Sequence, residues 1–357
     1  MTRRPTLKDV AERAGVSVSA VSYALNDKST VPLAEATKER IRAAADDIGY
    51  VPNRIARSLQ ARASGAIGVI LDKPLTLPRY AGIVQGLGAG LSEAGLHLTL
   101  VSGVGIDSAL EDARGGLLAG LVFIGHDDLS APAELVARVR KHGIPFAALD
   151  CGDPEAPYPS VDFDYAHGVR QMIEHFEGPG IDHLVYVRPD LGSRAEVQRE
   201  SALTGELASR PRIDLTVLSD GITAERLQSY DADPGSAAGH VTALAASIEN
   251  TLRDSGASPG RTAVLCAWGA DAEAAYRAAR AVGGGIRVGS LAAGSLALEL
   301  WPDLAYSRLP LEAAGRACAG LIAAAAAGRA EPEHLLLTPT LGASSVSNPL
   351  RSTGGPA

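Results

Sequence analysis

The residues best placed to do chemistry stand in the first sixty positions. Thr6, Ser17, Ser19, Ser22 and Asn26 bring short hydroxyls and an amide, groups that hydrogen-bond phosphate oxygens without filling a groove. Among them stand Val18 and Tyr23, an apolar side chain and a long phenol. The residues between them, Val10, Ala11, Val21, Ala24 and Leu25, recur at helical spacing and point to a common core. A polar face with one aromatic reach, backed by an apolar stripe, suits a helix lying in a major groove. A second cluster follows at Asn53, Arg54, Ala56, Arg57, Leu59 and Arg62, where arginines alternate with apolar residues in a segment too short to hold a helix alone.

The elements needed to hold these residues are legible locally. Thr6 caps a helix predicted over Leu7–Ala14, with Asp9 in its first turn against the positive end of the dipole. Gly15 opens a sharp turn, and Ser17 caps a second helix from Val18 to Leu25. A third is predicted from Ala34 to Ile48, with Ile41, Ala44, Ala45 and Ile48 inward and Arg40 and Arg42 on a solvated face.

In this stretch the chain resembles the lactose-repressor (LacI) family of bacterial transcription regulators. The pattern T-x-x-D-V-A-x-x-A-G-V-S-x-x-x-V-S-x-x-L-N is met by Thr6, Asp9, Val10, Ala11, Ala14, Gly15, Val16, Ser17, Val21, Ser22, Leu25 and Asn26. The pattern Y-x-P-N-x-x-A-R-x-L is met by Tyr50, Pro52, Asn53, Ala56, Arg57 and Leu59. The resemblance implies a helix-turn-helix head that reads an operator. It also implies a hinge that folds on double-stranded DNA against its twin in a homodimer, with Leu59 wedged in the minor groove beside Ala56. Base readout is expected from Val18, Ser19 and Tyr23, and backbone contacts from Thr6, Ser17, Ser22 and Asn26. Asn53, Arg54 and Arg57 complete the expected DNA-binding set. Tyr23 lacks the two parallel donors by which an arginine grips guanine, so its base preference should differ from that of relatives carrying arginine there.

Composition supports a division of labour. The first 65 residues hold 11 Lys and Arg against 7 Asp and Glu, a surplus of positive charge, whereas the whole chain of 357 residues carries a net charge of −8. A basic head on an acidic body confines nucleic-acid contact to the head. Three dispersed cysteines (Cys151, Cys266 and Cys318) argue for a reducing cytoplasm and against a disulfide frame or a zinc site. Neither an apolar signal core nor a span long enough for a bilayer is evident, since the run Leu321–Ala327 is too short.

From Ala66 onward, short apolar runs alternate with amphipathic stretches. Strands are expected at 66–71, 96–101, 120–124, 145–149, 184–187, 262–266 and 286–291. Helices are expected over 80–94, 133–142, 165–176, 195–208, 237–254 and 270–282. Such alternation implies a doubly wound α/β body with parallel sheets. The resemblance implies a two-lobed, periplasmic-binding-protein-like effector core, with agreements at Tyr80, Gly86, Val161, Asp164, Gly168, Arg199, Glu312, Gly315 and Ala317. The organisation expected is a head over 1–50, a hinge over 51–65 and a core over 66–341, with the lobes joined near 161–164 and 289–311. Residues 342–357 form a tail rich in Ser, Gly and Pro, read as disordered.

The cleft between lobes is the expected site of a small-molecule, sugar-like effector, lined by Asp72, Tyr80, Asp164, Arg199 and Trp268. Sugar-responsive relatives carry an Asn-Asp pair where this chain has Trp268-Gly269, with Asp271 two residues on. The missing carboxylate leaves open a body that binds a protein partner instead, and a Rossmann-like enzyme is a third reading. Against the enzyme, no nucleophile with a matched base stands out, and no cofactor or metal is expected. Gly86, Gly88 and Gly90 fall inside a predicted helix and not at a phosphate-binding turn. His126-Asp127-Asp128 reads as a solvated loop, and His175 and His183 are expected to face solvent.

Overall fold

The computed structural model describes residues 5–25, 33–50, 65–101, 105–125, 131–151, 155–178, 180–232, 238–256, 258–292, 301, 303–329 and 332–343. They fall into two compact units, divided between residues 64 and 65. Asn26, the hinge cluster from Asn53 to Leu59, the loop His126–Asp128 and the tail beyond 343 lie outside the described residues.

In the first unit, α1 (Leu7–Ala14), α2 (Val18–Ala24) and α3 (Glu35–Asp47) enclose Val10, Ala11, Val21, Ala24, Ile41 and Ala45. Thr6 and Asp9 form a reciprocal cap: the Asp9 amide donates to Thr6 Oγ1 at 3.4 Å, and the Thr6 amide donates to Asp9 Oδ2 at 2.7 Å. Gly15 sits at φ 65°, a conformation L side chains rarely adopt, which lets the chain turn sharply into α2. Ser17 accepts from the Ala20 amide at 3.2 Å and so caps α2. Arg13 of α1 donates to Asp47 of α3 at 2.7 Å.

The second unit contains two six-stranded sheets. The first lobe is built on β1 (Ala66–Ile70), β2 (His97–Val101), β3 (Gly120–Ile124), β4 (Phe146–Leu149), β5 (Ser160–Phe163) and β11 (His334–Leu337). Their order is β11-β5-β4-β3-β1-β2, and all pairs are parallel. Helices α4 (Pro78–Glu93), α5 (Ile106–Arg114), α6 (Ala133–Lys141) and α12 (Leu311–Ala326) cover it. The second lobe uses β6 (His183–Arg188), β7 (Asp214–Ser219), β8 (Thr262–Cys266), β9 (Arg287–Ser290), β10 (Leu304–Arg308) and β12 (Thr340–Ala343), ordered β12-β10-β9-β8-β6-β7. It is covered by α7 (Tyr165–Glu177), α8 (Arg194–Ala208), α10 (Ala238–Asp254) and α11 (Ala272–Val282), and α9 (Ala224–Ala232) lies between β7 and α10 in the chain.

The expected apolar runs are strands, and the parallel, doubly wound plan holds with one difference. The edge strand β12 pairs antiparallel with β10, because it enters the second sheet straight from β11 in the first. The chain thus passes between lobes after β5, after β10 and after β11.

Helix contact explains Gly86 of α4 and Gly315 of α12. A Cβ on Gly86 would lie 2.1 Å from the Glu312 carbonyl oxygen, and one on Gly315 would lie 2.2 Å from that of Ile83. These two glycines let α4 and α12 approach backbone to backbone, which is a packing role and not a nucleotide loop. One expectation fails: His183 is buried, 4% exposed, with Nε2 at 3.1 Å from Thr216 Oγ1 on the neighbouring strand β7. Its place as the first residue of a central strand, inside the sheet, overrides the polar loop before it.

Candidate functional site

The head presents one continuous face. Val18 is 46% and Tyr23 43% exposed, and Ser19 and Ser22 are exposed beside them. Directly behind, Val21 and Ala24 are buried, so α2 is fixed from the inside while its outer row is open. Thr6 and Ser17 are exposed at the starts of α1 and α2, where their hydroxyls already accept the capping amides. Arg40 and Arg42 are exposed on α3.

In the body, the ends of the strands bring charged groups together. In each sheet the strand order reverses beside the first strand of the lobe: β1 lies between β2 and β3, and β6 lies between β7 and β8. The crevice outside such a reversal is where doubly wound sheets take ligands. Asp150 follows β4 at φ 60°, a left-handed position that aspartate tolerates, and is 4% exposed. Gly125 leaves room for it, since a Cβ there would lie 2.4 Å from that of Cys151. Arg79, on the first turn of α4, pairs with Asp150 and donates to the Tyr165 hydroxyl at 2.6 Å. Tyr165 in turn donates to Asp150 Oδ1 at 2.7 Å.

The second lobe answers with two arginines of α8. Arg194 pairs with Asp162 of β5 and lies 3.8 Å from Asp150 Oδ1. Arg199 is fully buried, its guanidinium 4.6 Å from the centre of the Tyr165 ring and 3.7 Å from Glu196 Oε2. Glu196 accepts from the Tyr186 hydroxyl at 2.5 Å. Burial, reinforced by that carboxylate, pushes the Tyr186 phenol well above its usual range. Burial also raises the Asp162 carboxyl, though Arg194 opposes it.

Of the five expected lining residues, Arg199 joins this network directly. Tyr80 is buried at the start of α4, one residue from Arg79, and Asp72 is exposed beyond β1. Asp164 accepts from the His167 amide at 2.8 Å and so caps α7. Trp268, beyond β8, is half-buried against the layer formed by α7 and α8, and its indole N–H meets no acceptor. A cavity of about 1170 Å³ opens at the β11–β5 edge, against α6 and α8, and Asp164, Tyr165 and Arg194 border it. Asp72, Tyr80, Arg199 and Trp268 do not line it. Because the strand ends carry the ligand crevice and this cavity sits at a sheet edge, we place the candidate site at the strand ends between the lobes.

Sequence reading missed Arg79, Asp150, Tyr165 and Arg194. Asp150 directly after an apolar strand was the available signal; its partners are distant in sequence. A second constellation also went unseen: Ser160 Oγ contacts His334 Nδ1, and His334 Nε2 lies 3.6 Å from Asp162 Oδ2. Ser160 has no exposed surface, so no substrate carbonyl reaches it, and the line serves to hold β11 on β5.

Comparison with known proteins agrees with both units. The family model for bacterial regulatory proteins of the lacI family matches residues 6–53. The regulator CelR of Thermobifida fusca is 33% identical over 233 residues, covering 61% of this chain and 66% of CelR. The regulator PtxS of Pseudomonas aeruginosa is 30% identical over 239 residues, 64% of this chain and 67% of PtxS. The match thus spans about two thirds of each relative's length. Among solved structures, a Lac repressor dimer bound to operator and an anti-inducer superposes with TM-score 0.74 at 22% identity, covering 96% of this chain and 99% of that one. A CelR–cellobiose complex superposes with TM-score 0.62 at 25% identity, covering 96% and 100%. The capped helix pair with its open recognition face, the two reversed sheets and these likenesses converge: the chain belongs to the LacI family of bacterial regulatory proteins.

Proposed function

We propose that this protein is a transcriptional repressor that acts in the cytoplasm, binds a near-palindromic operator as a homodimer and is released by a small, sugar-like effector. The observation that carries the reading is the open row Val18, Ser19, Ser22 and Tyr23 on a helix whose opposite face is locked into the head. Each head reads one half-site with Val18, Ser19 and Tyr23, while Thr6, Ser17, Ser22 and Asn26 grip the backbone. The paired hinges, with Asn53, Arg54, Ala56, Arg57 and Leu59, bend the operator centre, where the leucine wedge offsets base unstacking by the contacts a bent duplex allows. Self-association is supported by the terminal strands β2 and β7 of the two sheets, which leave Leu100 44% and Val217 50% exposed.

The effector belongs at the strand ends between the lobes, where Asp150, Tyr165, Arg199 and Trp268 offer acceptors, donors and an aromatic face to a polyhydroxylated ring. CelR has been captured with cellobiose, which supports that chemistry. Release follows if the ligand binds the two lobe arrangements with different affinity.

Selection of bound duplexes from a random pool tests the head. Full-length protein should enrich one near-palindrome, and Tyr23→Ala should change the preferred bases; an unchanged preference overturns the role of Tyr23. Leu59→Ala should weaken operator binding far more than non-specific binding, and equal losses refute the wedge. For the effector, a ligand at a hundred times its Kd adds about 2.7 kcal/mol of stability. A sugar that raises the melting temperature and also frees the operator identifies it.

A further inference from the structure

Beside the candidate effector site, the second lobe carries a cluster with a different chemistry. Asp220 directly follows β7, His240 lies on the first turn of α10, and Asp271 ends the short 3-10 turn Gly269–Asp271 that leads into α11. One ligating atom from each lies within 4.8 Å of the other two. Asp220 is 6% and Asp271 1% exposed. His240 Nε2 stands 3.8 Å from Asp271 Oδ1.

The charges in this cluster do not close. Asp220 Oδ1 accepts the Ile222 amide at 2.6 Å, but its Oδ2 receives no hydrogen bond. Neither carboxylate oxygen of Asp271 receives one at bonding distance. Among the described residues no lysine or arginine pairs with either carboxylate. Two buried carboxylates facing one imidazole are costly unless a cation joins them or protons neutralise them.

We propose that Asp220, His240 and Asp271 form a binding site for a divalent first-row transition-metal ion, with Zn²⁺ as the natural probe. One imidazole nitrogen and two carboxylate oxygens are a donor set that zinc accepts in tetrahedral sites. Ligands about 2.0 Å from a tetrahedral ion lie about 3.3 Å apart, so modest side-chain rotation closes the cluster. The fourth position falls to water. The ion clamps three segments of the second lobe: the turn after β7, the start of α10 and the turn after β8. Trp268 belongs to that last turn, its carbonyl accepting the Asp271 amide at 3.3 Å, so the ion also stiffens one wall of the effector crevice. The site adjoins that crevice and is reached from the other helix layer, since His240 stands on α10 while Arg199 and Tyr165 stand on the helices of the opposite layer.

The test uses full-length protein stripped with EDTA and dialysed free of chelator. Calorimetric titration with ZnCl₂ should show about one ion per chain. His240→Gln and Asp271→Asn should each weaken that event by more than about tenfold. Cobalt(II) in place of zinc should give the intense visible absorption of a four-coordinate site in the wild type alone. Absence of stoichiometric binding overturns the proposal, as does binding that both variants retain, which marks surface histidines. A weak, six-coordinate cobalt spectrum overturns it too. Should His240→Gln fail to fold, Asp271→Asn, which removes a buried charge, and the wild-type cobalt spectrum decide the question.

Discussion

The two lobes share a topology, yet the ends of their strands are finished in opposite ways. The first lobe buries two carboxylates, Asp150 and Asp162, and meets them with two guanidinium groups, Arg79 and Arg194. The second buries Asp220 and Asp271 and meets them with one histidine. Burial imposes the same cost on a carboxylate in either place. The first cluster is therefore internally balanced, and Arg194 carries that balance across the cleft from the second lobe. Among the described residues the second cluster is short of positive charge, so a bound cation or protons must balance it. A doubly wound sheet provides the position at the strand ends; the residues in the turns decide whether it becomes a latch or a receptor.

Cutting the latch should have the largest effect. Asp150→Asn keeps the shape and the left-handed backbone but replaces the charged end of the Arg79 pair with a neutral amide and removes charge beside Arg194. Removing one member of a buried pair costs about 3 kcal/mol or more, because the remaining charge stays desolvated. Urea unfolding should show that loss, and a change below about 1 kcal/mol would mean the latch is solvated like a surface pair.

The second cluster should respond the other way. Without metal, Asp271→Asn relieves a buried charge and leaves stability unchanged or raised by about 1 kcal/mol. With zinc at a hundred times its Kd the order reverses, since only the wild type gains about 2.7 kcal/mol. Thermal melts of both proteins with EDTA and with zinc read this crossing. Parallel curves would erase the distinction between the lobes.

What was legible beforehand divides along the same physical line. The head was readable because its signals are local: Thr6 with Asp9, Gly15, and Ser17 with Ala20 lie within a few residues. Buried strands such as β3 and β8 declared themselves as unbroken apolar runs. Strand β7 did not, since it closes its sheet at the edge and is mostly exposed or half-exposed over DLTVLS. Strands β11 and β12 are short segments of four residues, given their meaning by a late passage between lobes. Both charged clusters were invisible for a related reason. Arg79 reaches Asp150, and Asp220 reaches His240 and Asp271, only after the sheets have formed. A lone aspartate after a strand carries no mark of its future partner.

The smallest effect tests how complete the first lobe's balance is. Burial raises the Asp162 carboxyl above its ordinary value even though Arg194 and His334 draw it down. A carboxyl whose folded value is raised holds its proton longer in the native state than in the unfolded chain. Its contribution is therefore fully present below the ordinary carboxylate value of about 4 and is lost as pH rises through the folded value. Asp162→Asn removes that titration, so the variant's stability relative to wild type should climb with pH from about 4 upward. At neutral pH the relief of burial offsets the weakened contact with Arg194, which still has Asp150 within 3.8 Å. Denaturation midpoints of both proteins across this range give the slope. If the wild type instead gains on the variant as pH rises, Arg194 outweighs burial and the latch is over-balanced. The contrast with the second lobe would then be larger than burial alone requires.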